Sequence, residues 1–286
     1  MAADVTTRPD ADTAATNGTD ATRDVYDRSS IKGNFLVMIA DQTVAEWERR
    51  RPLDQICEYL DGIIYFHVPM GVSNEELDAS RCIYDRSSLT GDFMVMLADQ
   101  TAEDFGRYAS ETQICEYFDG VVYMPSPGTD RHQEQVGFLF DLLNGRRCER
   151  GGGSVLMGPA VVRLDDDSKP EPDLFVRPPA PPGAKDVKPL LVIEILSPST
   201  RAHDLGLKLT RYRSAEIPEV WLFDERERAV IVERKVGEGY RRERLSEGYL
   251  HSTAIAGFWI DVAWLWQRPL PNPRRCLEAI LAGPPG

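Results

Sequence analysis

The chain has no apolar run approaching the ~20 residues needed to span a bilayer, and no cationic segment followed by an apolar one near its start. Neither a membrane anchor nor a secretory leader is expected. Cysteine is scarce: five in 286 residues, odd in number, widely spaced and with no CxxC pair. Cys57, Cys82, Cys115, Cys148 and Cys276 therefore read as reduced, buried thiols of a cytoplasmic protein, not as a disulfide framework or a zinc site. Positive charge is also short, with 33 Lys+Arg against 46 Asp+Glu and a formal net charge of −13. Phosphate neutralisation supplies much of the affinity of nucleic-acid binders, so this balance argues against tight non-specific binding but leaves room for a local basic groove. No G-x-S-x-G elbow is present, so Ser197 and Ser199 beside Pro198 mark a turn that starts a helix. The glycines at 151–153 lack the lysine and spacing of a phosphate loop.

What is present begins with a duplication. Residues 1–22 contain almost no large apolar side chains and are expected to be disordered. YDRSSIKGNFLVMIADQTVAEWERR from Tyr26 and YDRSSLTGDFMVMLADQTAEDFGRY from Tyr84 then align without a gap, at a constant offset of 58 (84 − 26 = 58). The match continues through QICEYLDGIIY and QICEYFDGVVY. Two copies make a duplication, not a solenoid. Each copy reads as a short strand (35–40 and 93–98), then a helix capped by Thr43 or Thr101. A hairpin turning on Asp61-Gly62 or Asp119-Gly120 closes it. The polar link 70–81 reads as a boundary. Only the second copy runs on into the rest of the chain, so it is expected to join the main sheet. This divides the protein into a tail (1–22), a first repeat copy (23–83), a main domain (84–267) and a proline-rich end (268–286), with a short helix at 275–281.

Downstream, Val136, Leu139, Phe140 and Leu143 recur at helical spacing in 130–147, with Asp130 or Thr129 as cap. The stretch 155–164 reads as a strand or hairpin arm, and Asp165-Asp166-Asp167 as a solvated loop. Strands are expected at 219–224, 229–235 and 240–245, and an apolar closing segment at 255–266. The segment between these parts carries the chemistry. Asp173 directly precedes Leu174-Phe175-Val176, and Leu190-Leu191-Val192-Ile193 runs into Glu194-Ile195-Leu196. Such runs are buried strands, where a carboxylate is costly unless paired, protonated or bound to a cation. Two acids on pairing strands suit a hard divalent ion. Asp204, Lys208 and Tyr212 follow four residues apart on one helical face, so Lys208 can reach back to the acids. The alternative is structural. Asp173 would then cap a turn after Pro172, and Glu194 would pair with Lys208 or an arginine.

The segments PDLFV, LVIEILSPST, D-x-x-x-K-x-x-x-Y and IPEVWLFD, in this order, closely resemble the Uma-type restriction endonuclease family of the PD-(D/E)XK nuclease superfamily. The resemblance covers roughly residues 99–266. It implies an α/β, restriction-endonuclease-like core: a mixed sheet flanked by helices, here preceded by the duplicated α+β segment. It also implies magnesium-dependent hydrolysis of DNA, with manganese as a substitute. Asp173 and Glu194 would hold the metal, Lys208 would assist, and His132 matches a histidine of the pattern. The superfamily's lysine usually stands two residues after the second acid, where this chain has Leu196; the Uma-type family takes it from the next helix. Glu116 fits the pattern as well, although Glu58 repeats it in the first copy. Glu134 is a weaker candidate. A homodimer would supply the two sites that cutting both strands needs. The competing reading is a degenerate nuclease fold serving as a binding or regulatory module. Arg146, Arg147, Arg150, Arg241, Arg242 and Arg244 would be phosphate contacts or solvated faces.

Overall fold

The computed structural model describes residues 35–40, 42–50, 57–60, 63–68, 93–109, 114–181, 183–184 and 186–284. The expected tail 1–22, the link 70–81 and the turn Asp61-Gly62 lie outside these residues. Two sheets organise the rest.

The first sheet is built from the repeat. In the first copy, β1 (Phe35–Ile39) is followed by α1 (Val44–Arg50), β2 (Cys57–Leu60) and β3 (Ile63–Val68). The second copy repeats the order with β4 (Phe93–Leu97), α2 (Ala102–Tyr108), β5 (Glu116–Phe118) and β6 (Val121–Pro125). Thr101 caps α2 in a full capping box, its hydroxyl accepting from the Asp104 N–H while Asp104 accepts from the Thr101 N–H. The β5–β6 turn uses Asp119 and Gly120 at φ 46° and 83°. A two-residue hairpin needs that left-handed pair, and Asp-Gly supplies it cheaply. The strand order is β2-β3-β1-β4-β6-β5-β8, where β8 is Ser168–Lys169. The second copy thus stays out of the main sheet, contrary to expectation. It meets the remainder in part through the β5–β8 pair, with Tyr117 opposite Lys169.

The main sheet has six strands in the order β13-β12-β11-β10-β9-β7. They are β7 (Ser154–Met157), β9 (Leu174–Arg177), β10 (Leu191–Ile195), β11 (Glu219–Asp224), β12 (Ala229–Val236) and β13 (Gly239–Leu245). The β10–β11 pair is parallel and its neighbours are antiparallel, so the sheet is mixed. Strand alternation sorts the side chains by face. Leu191, Ile193, Ile195, Trp221 and Phe223 pack beneath α3 (Asp130–Arg150), against Phe138, Leu139, Leu142 and Leu143. Val192, Val220 and Leu222 face the other way, onto Leu209 and Tyr212 of the helical segment α4. α4 has three parts: Arg201–His203, a π-helical turn Asp204–Lys208, and Leu209–Ser214. Near the end of the chain, β14 (Tyr249–His251) pairs with β15 (Trp259–Asp261), a 3-10 turn spans Val262–Trp266, and α5 covers Pro273–Ala282. Buried Cys276 and Ile280 of α5 join the core beneath α3.

Two local expectations need correction. The apolar stretch from Val155 does not continue as a strand to 164, because β7 ends at Met157 where Gly158-Pro159 interrupts the ladder. Cys148 is exposed near the end of α3, whereas Cys115 and Cys276 are buried thiols as expected. Gly153 is needed for a different reason: a Cβ there would overlap the Arg177 carbonyl across the β7–β9 approach. Gly153→Ala is therefore expected to lower stability by about 1–3 kcal/mol through forced backbone shifts. A denaturant midpoint equal to that of the unaltered chain would contradict the close approach.

Candidate active site

The antiparallel β9–β10 register sets the site. Leu174 stands opposite Ile193, so the next pair outward brings Asp173 opposite Glu194. Alternation turns both away from α3, toward α4. Hydrogen bonds fix the pair: Asp173 Oδ2 accepts from the Ile195 N–H at 2.7 Å, and Glu194 Oε2 accepts from the Asp173 N–H at 3.3 Å. Lys208 comes from the π-helical turn of α4, a widened turn of a kind that often marks functional sites. Its Nζ lies 2.8 Å from Glu194 Oε1, 2.8 Å from Glu116 Oε1 and 3.3 Å from Asp204 Oδ1. Tyr212, one turn further on, donates its hydroxyl to Glu194 Oε1 at 2.6 Å. Asp204, Lys208 and Tyr212 do share one face.

His132 enters at the start of α3, which Thr129 caps by accepting from the His132 N–H. Its Nε2 lies 3.2 Å from Asp173 Oδ2. The four residues expected from sequence thus converge: Asp173, Glu194, Lys208 and His132. Glu134 does not join them. Its side chain is 62% exposed and pairs with Arg131. Arg242 and Arg244 pair with Glu233 and Glu227. Arg146 and Arg150 donate to backbone carbonyls toward the far end of α3, roughly 21 and 27 Å along the helix from His132.

The site is lopsided in depth and in charge. The Glu194 and Lys208 side chains are 3% and 5% exposed, against 14% and 13% for Asp173 and His132, so the open side lies at Asp173 and His132. Burial pushes the Glu194 carboxyl well above its ordinary range; Lys208 opposes this, while Asp204, Asp173 and Glu116 add to it. Burial likewise raises Asp204. Lys208 is held charged: burial alone would lower its pKa, but Glu116, Glu194, Tyr212 and Asp204 outweigh it. Burial also acts to lower His132, and the Asp173 carboxylate outweighs it and raises the imidazole.

Glu116 behaves differently from Glu194. Burial would raise it, yet Lys208 and His203 bring it down to about 2. His203 Nε2 lies 3.0 Å from Glu116 Oε2, and Oε1 accepts from the Glu171 N–H at 2.9 Å. A depressed carboxylate contributes stability above its unfolded value and loses it on acidification. Glu116 should therefore make the wild type lose stability as pH falls from about 4.5 toward 2, whereas Glu116→Gln should be flatter over that window. Parallel slopes in acid denaturation of the two proteins would contradict this.

The donor set can be tested against a divalent cation. Among the described residues no three His, Cys, Asp or Glu side chains form a ready-made metal cluster. Asp173 and Glu194 offer two adjoining hard oxygen donors with an open side. Magnesium is commonly held that way, by one or two carboxylates with water and substrate phosphate completing its shell. The excess of acids around one lysine is also relieved by an added positive charge. The pair fits such an ion.

Residues 102–263, over half of the chain, match the Uma2 family model, described as "Putative restriction endonuclease". The chain belongs to the Uma2 family. The match contains Glu116, His132, Asp173, Glu194 and Lys208, and leaves the first repeat copy outside. An uncharacterized protein of Synechocystis sp. is 31% identical over 102 residues, which are 34% of this chain and 53% of that protein. The chain thus spans about half the length of the curated relative it matches. A crystal structure titled "putative nuclease belonging to DUF820", from Anabaena variabilis, aligns with a TM-score of 0.49 and 16% identity, covering 58% of this chain and 97% of its own. Within the Uma2 segment, sequence reasoning undervalued Glu116 because Glu58 repeats it, and overlooked His203 and Glu171. His203 carried one usable sequence signal, in that it directly precedes Asp204; in the fold its ring packs at a tilt of 37° against Tyr123, with centroids 4.4 Å apart.

Proposed function

We propose that this Uma2 protein is a magnesium-dependent endonuclease that hydrolyses phosphodiester bonds in DNA, with manganese able to replace magnesium. The observation that carries the reading is the side-by-side placement of Asp173 and Glu194 with the Lys208 ammonium on Glu194. Asp173 and Glu194 would hold the cation. When bound, such an ion neutralises charge developing on the phosphoryl oxygens and makes water more acidic.

The chain's own groups do the rest. Tyr212 and Lys208 orient Glu194 Oε1, so its other oxygen faces Asp173. Glu116 and Asp204 keep Lys208 charged and fixed, a preorganised cation in a water-poor site. His132 Nε2 shares a proton with Asp173 Oδ2, which places the imidazole where it can take or give a proton beside the carboxylate. The polynucleotide would approach from that side. A cytoplasmic setting goes with this reading, since Cys115, Cys148 and Cys276 are free thiols.

One observation favours a second reading, a degenerate binding or regulatory module: Lys208 is already engaged by three carboxylates. A plasmid-nicking assay separates the two. Wild type should relax supercoiled plasmid with magnesium and not with chelator, and Asp173→Asn and Lys208→Ala should both fail. Absence of nicking by folded wild type in magnesium and in manganese would overturn the endonuclease reading and leave the binding module.

A further inference from the structure

The two repeat copies meet about a local twofold axis. β1 and β4 pair antiparallel with Phe35 opposite Leu97, Val37 opposite Val95 and Ile39 opposite Phe93. The repeat offset of 58 (84 − 26 = 58) carries Phe35 to Phe93, Val37 to Val95 and Ile39 to Leu97. Exchanging the copies therefore reproduces the same pairs, and the axis passes between Val37 and Val95. The sheet order extends this symmetry, with β2-β3-β1 running outward on one side as β5-β6-β4 does on the other. Finer details repeat as well. The Gln42 side-chain amide donates to the Ala40 carbonyl at 2.9 Å, and Gln100 donates to Ala98 at 2.7 Å. Ile64 and Val122, equivalent positions, are both fully buried, and they belong to a single core shared by the two copies.

Tandem domains that merely pack together have no reason to meet at equivalent residues. Two copies of one self-complementary surface do, and this is the geometry of an isologous dimer. β4 has the chemistry for it: Phe93-Met94-Val95-Met96-Leu97 is apolar and uncharged, a strand that would seek a partner if left at a sheet edge. We propose that the β1-facing edge of β4 is a self-association surface whose partner is a second copy of the same unit. The first repeat copy fills that seat within the chain. The protein is then monomeric through this edge, and a homodimer expected for cutting both strands cannot use it. This inference rests on the sheet alone and stands or falls independently of the nuclease reading.

Freeing the seat in the full chain tests it. Val95→Cys, in a full chain whose exposed Cys148 is replaced by serine in this and every variant below, should remain a monomer of about 32.1 kDa under oxidation. Adding Met38→Pro, which removes a ladder donor from a strand paired on both sides, should expose β4. The mass should then double, with the introduced thiols at position 95 of the two chains bonded to each other across the axis. Phe93→Cys with Met38→Pro should dimerise without such a bond, because position 93 of one chain would face position 97 of the other, about 13 Å away from its own equivalent. If Met38→Pro aggregates, Ile39→Lys, which puts a charge into the shared core, makes the same comparison. Val37→Cys with Val95→Cys should close a disulfide within one chain. A persistent monomer after β1 is disrupted, cross-linking that does not distinguish position 95 from position 93, or a bond between positions 37 and 95 formed only between chains would each overturn the proposal.

Discussion

Lys208→Ala is expected to cost about 3–5 kcal/mol of stability at neutral pH, the range for removing one partner of a buried ion pair, and to abolish nicking. The Lys208 side chain is 5% exposed, and its ammonium is the shared counter-charge of Glu116, Glu194 and Asp204. Without it, carboxylates sealed from water would have to ionise unpaired or take up protons. The pH dependence gives the effect a signature. In the wild type, Glu116 sits at about 2, below its ordinary 4.5, so acidification through that window removes stability. In Lys208→Ala only His203 is left to oppose burial at Glu116, so its pKa rises from about 2. The variant then loses less stability than the wild type as pH falls. Denaturant titrations at pH 7 and pH 4 should show the gap between the proteins narrowing. A constant gap would mean that Lys208 is not the counter-charge the geometry indicates.

Glu219→Ala should be comparably destabilising, by about 3–5 kcal/mol, yet leave the chemistry of the folded protein intact. Glu219 is fully buried at the start of β11. Its Oε1 accepts from Trp221 Nε1 and Arg234 Nε, both at 3.0 Å. Oε2 accepts from Ser252 Oγ at 2.7 Å and from the N–H groups of Thr253 and Ala254 at 2.9 and 3.0 Å. Every partner is a donor, and each carboxylate oxygen is saturated by the protein itself. Removing the side chain orphans all five donors and unties residues 252–254 from the sheet. Thermal unfolding should shift downward, while nicking per folded molecule stays as in wild type. Equal melting temperatures would show that this network carries no stability.

Glu219 and Glu194 illustrate what sequence could and could not reveal. Both are buried acids in otherwise apolar strands, and the linear pattern does not distinguish their roles. The difference is in their neighbours: Glu219 is surrounded by donors, whereas Glu194 shares one lysine with other acids. The paired acids were legible because Asp173 precedes, and Glu194 interrupts, an apolar run with clear strand character. Lys208 was legible through four-residue spacing on one helix. The Asp119-Gly120 hairpin and the Thr101 cap were readable because turn and cap chemistry is local. Glu116 was legible only as a match to the family pattern, with Glu58 arguing for a structural role, since its approach to Lys208 is a long-range contact that leaves no periodicity. The π-helical turn is equally silent in sequence, its extra residue being absorbed within an ordinary apolar pattern. The duplication was plain, but the twofold axis relating its copies emerged only from strand register.

The central claim is that Asp173 and Glu194 together receive a divalent cation, and calorimetric titration of the full chain with magnesium tests it most directly. Wild type should give a saturable heat that strengthens as pH rises, because Glu194 must give up the proton that burial favours before it can bind the ion. Asp173→Asn, which keeps the shape of the side chain, should abolish that heat while its circular dichroism and unfolding midpoint remain close to wild type. Undiminished magnesium binding by folded Asp173→Asn, or no binding by wild type at any pH where it stays folded, would contradict the account.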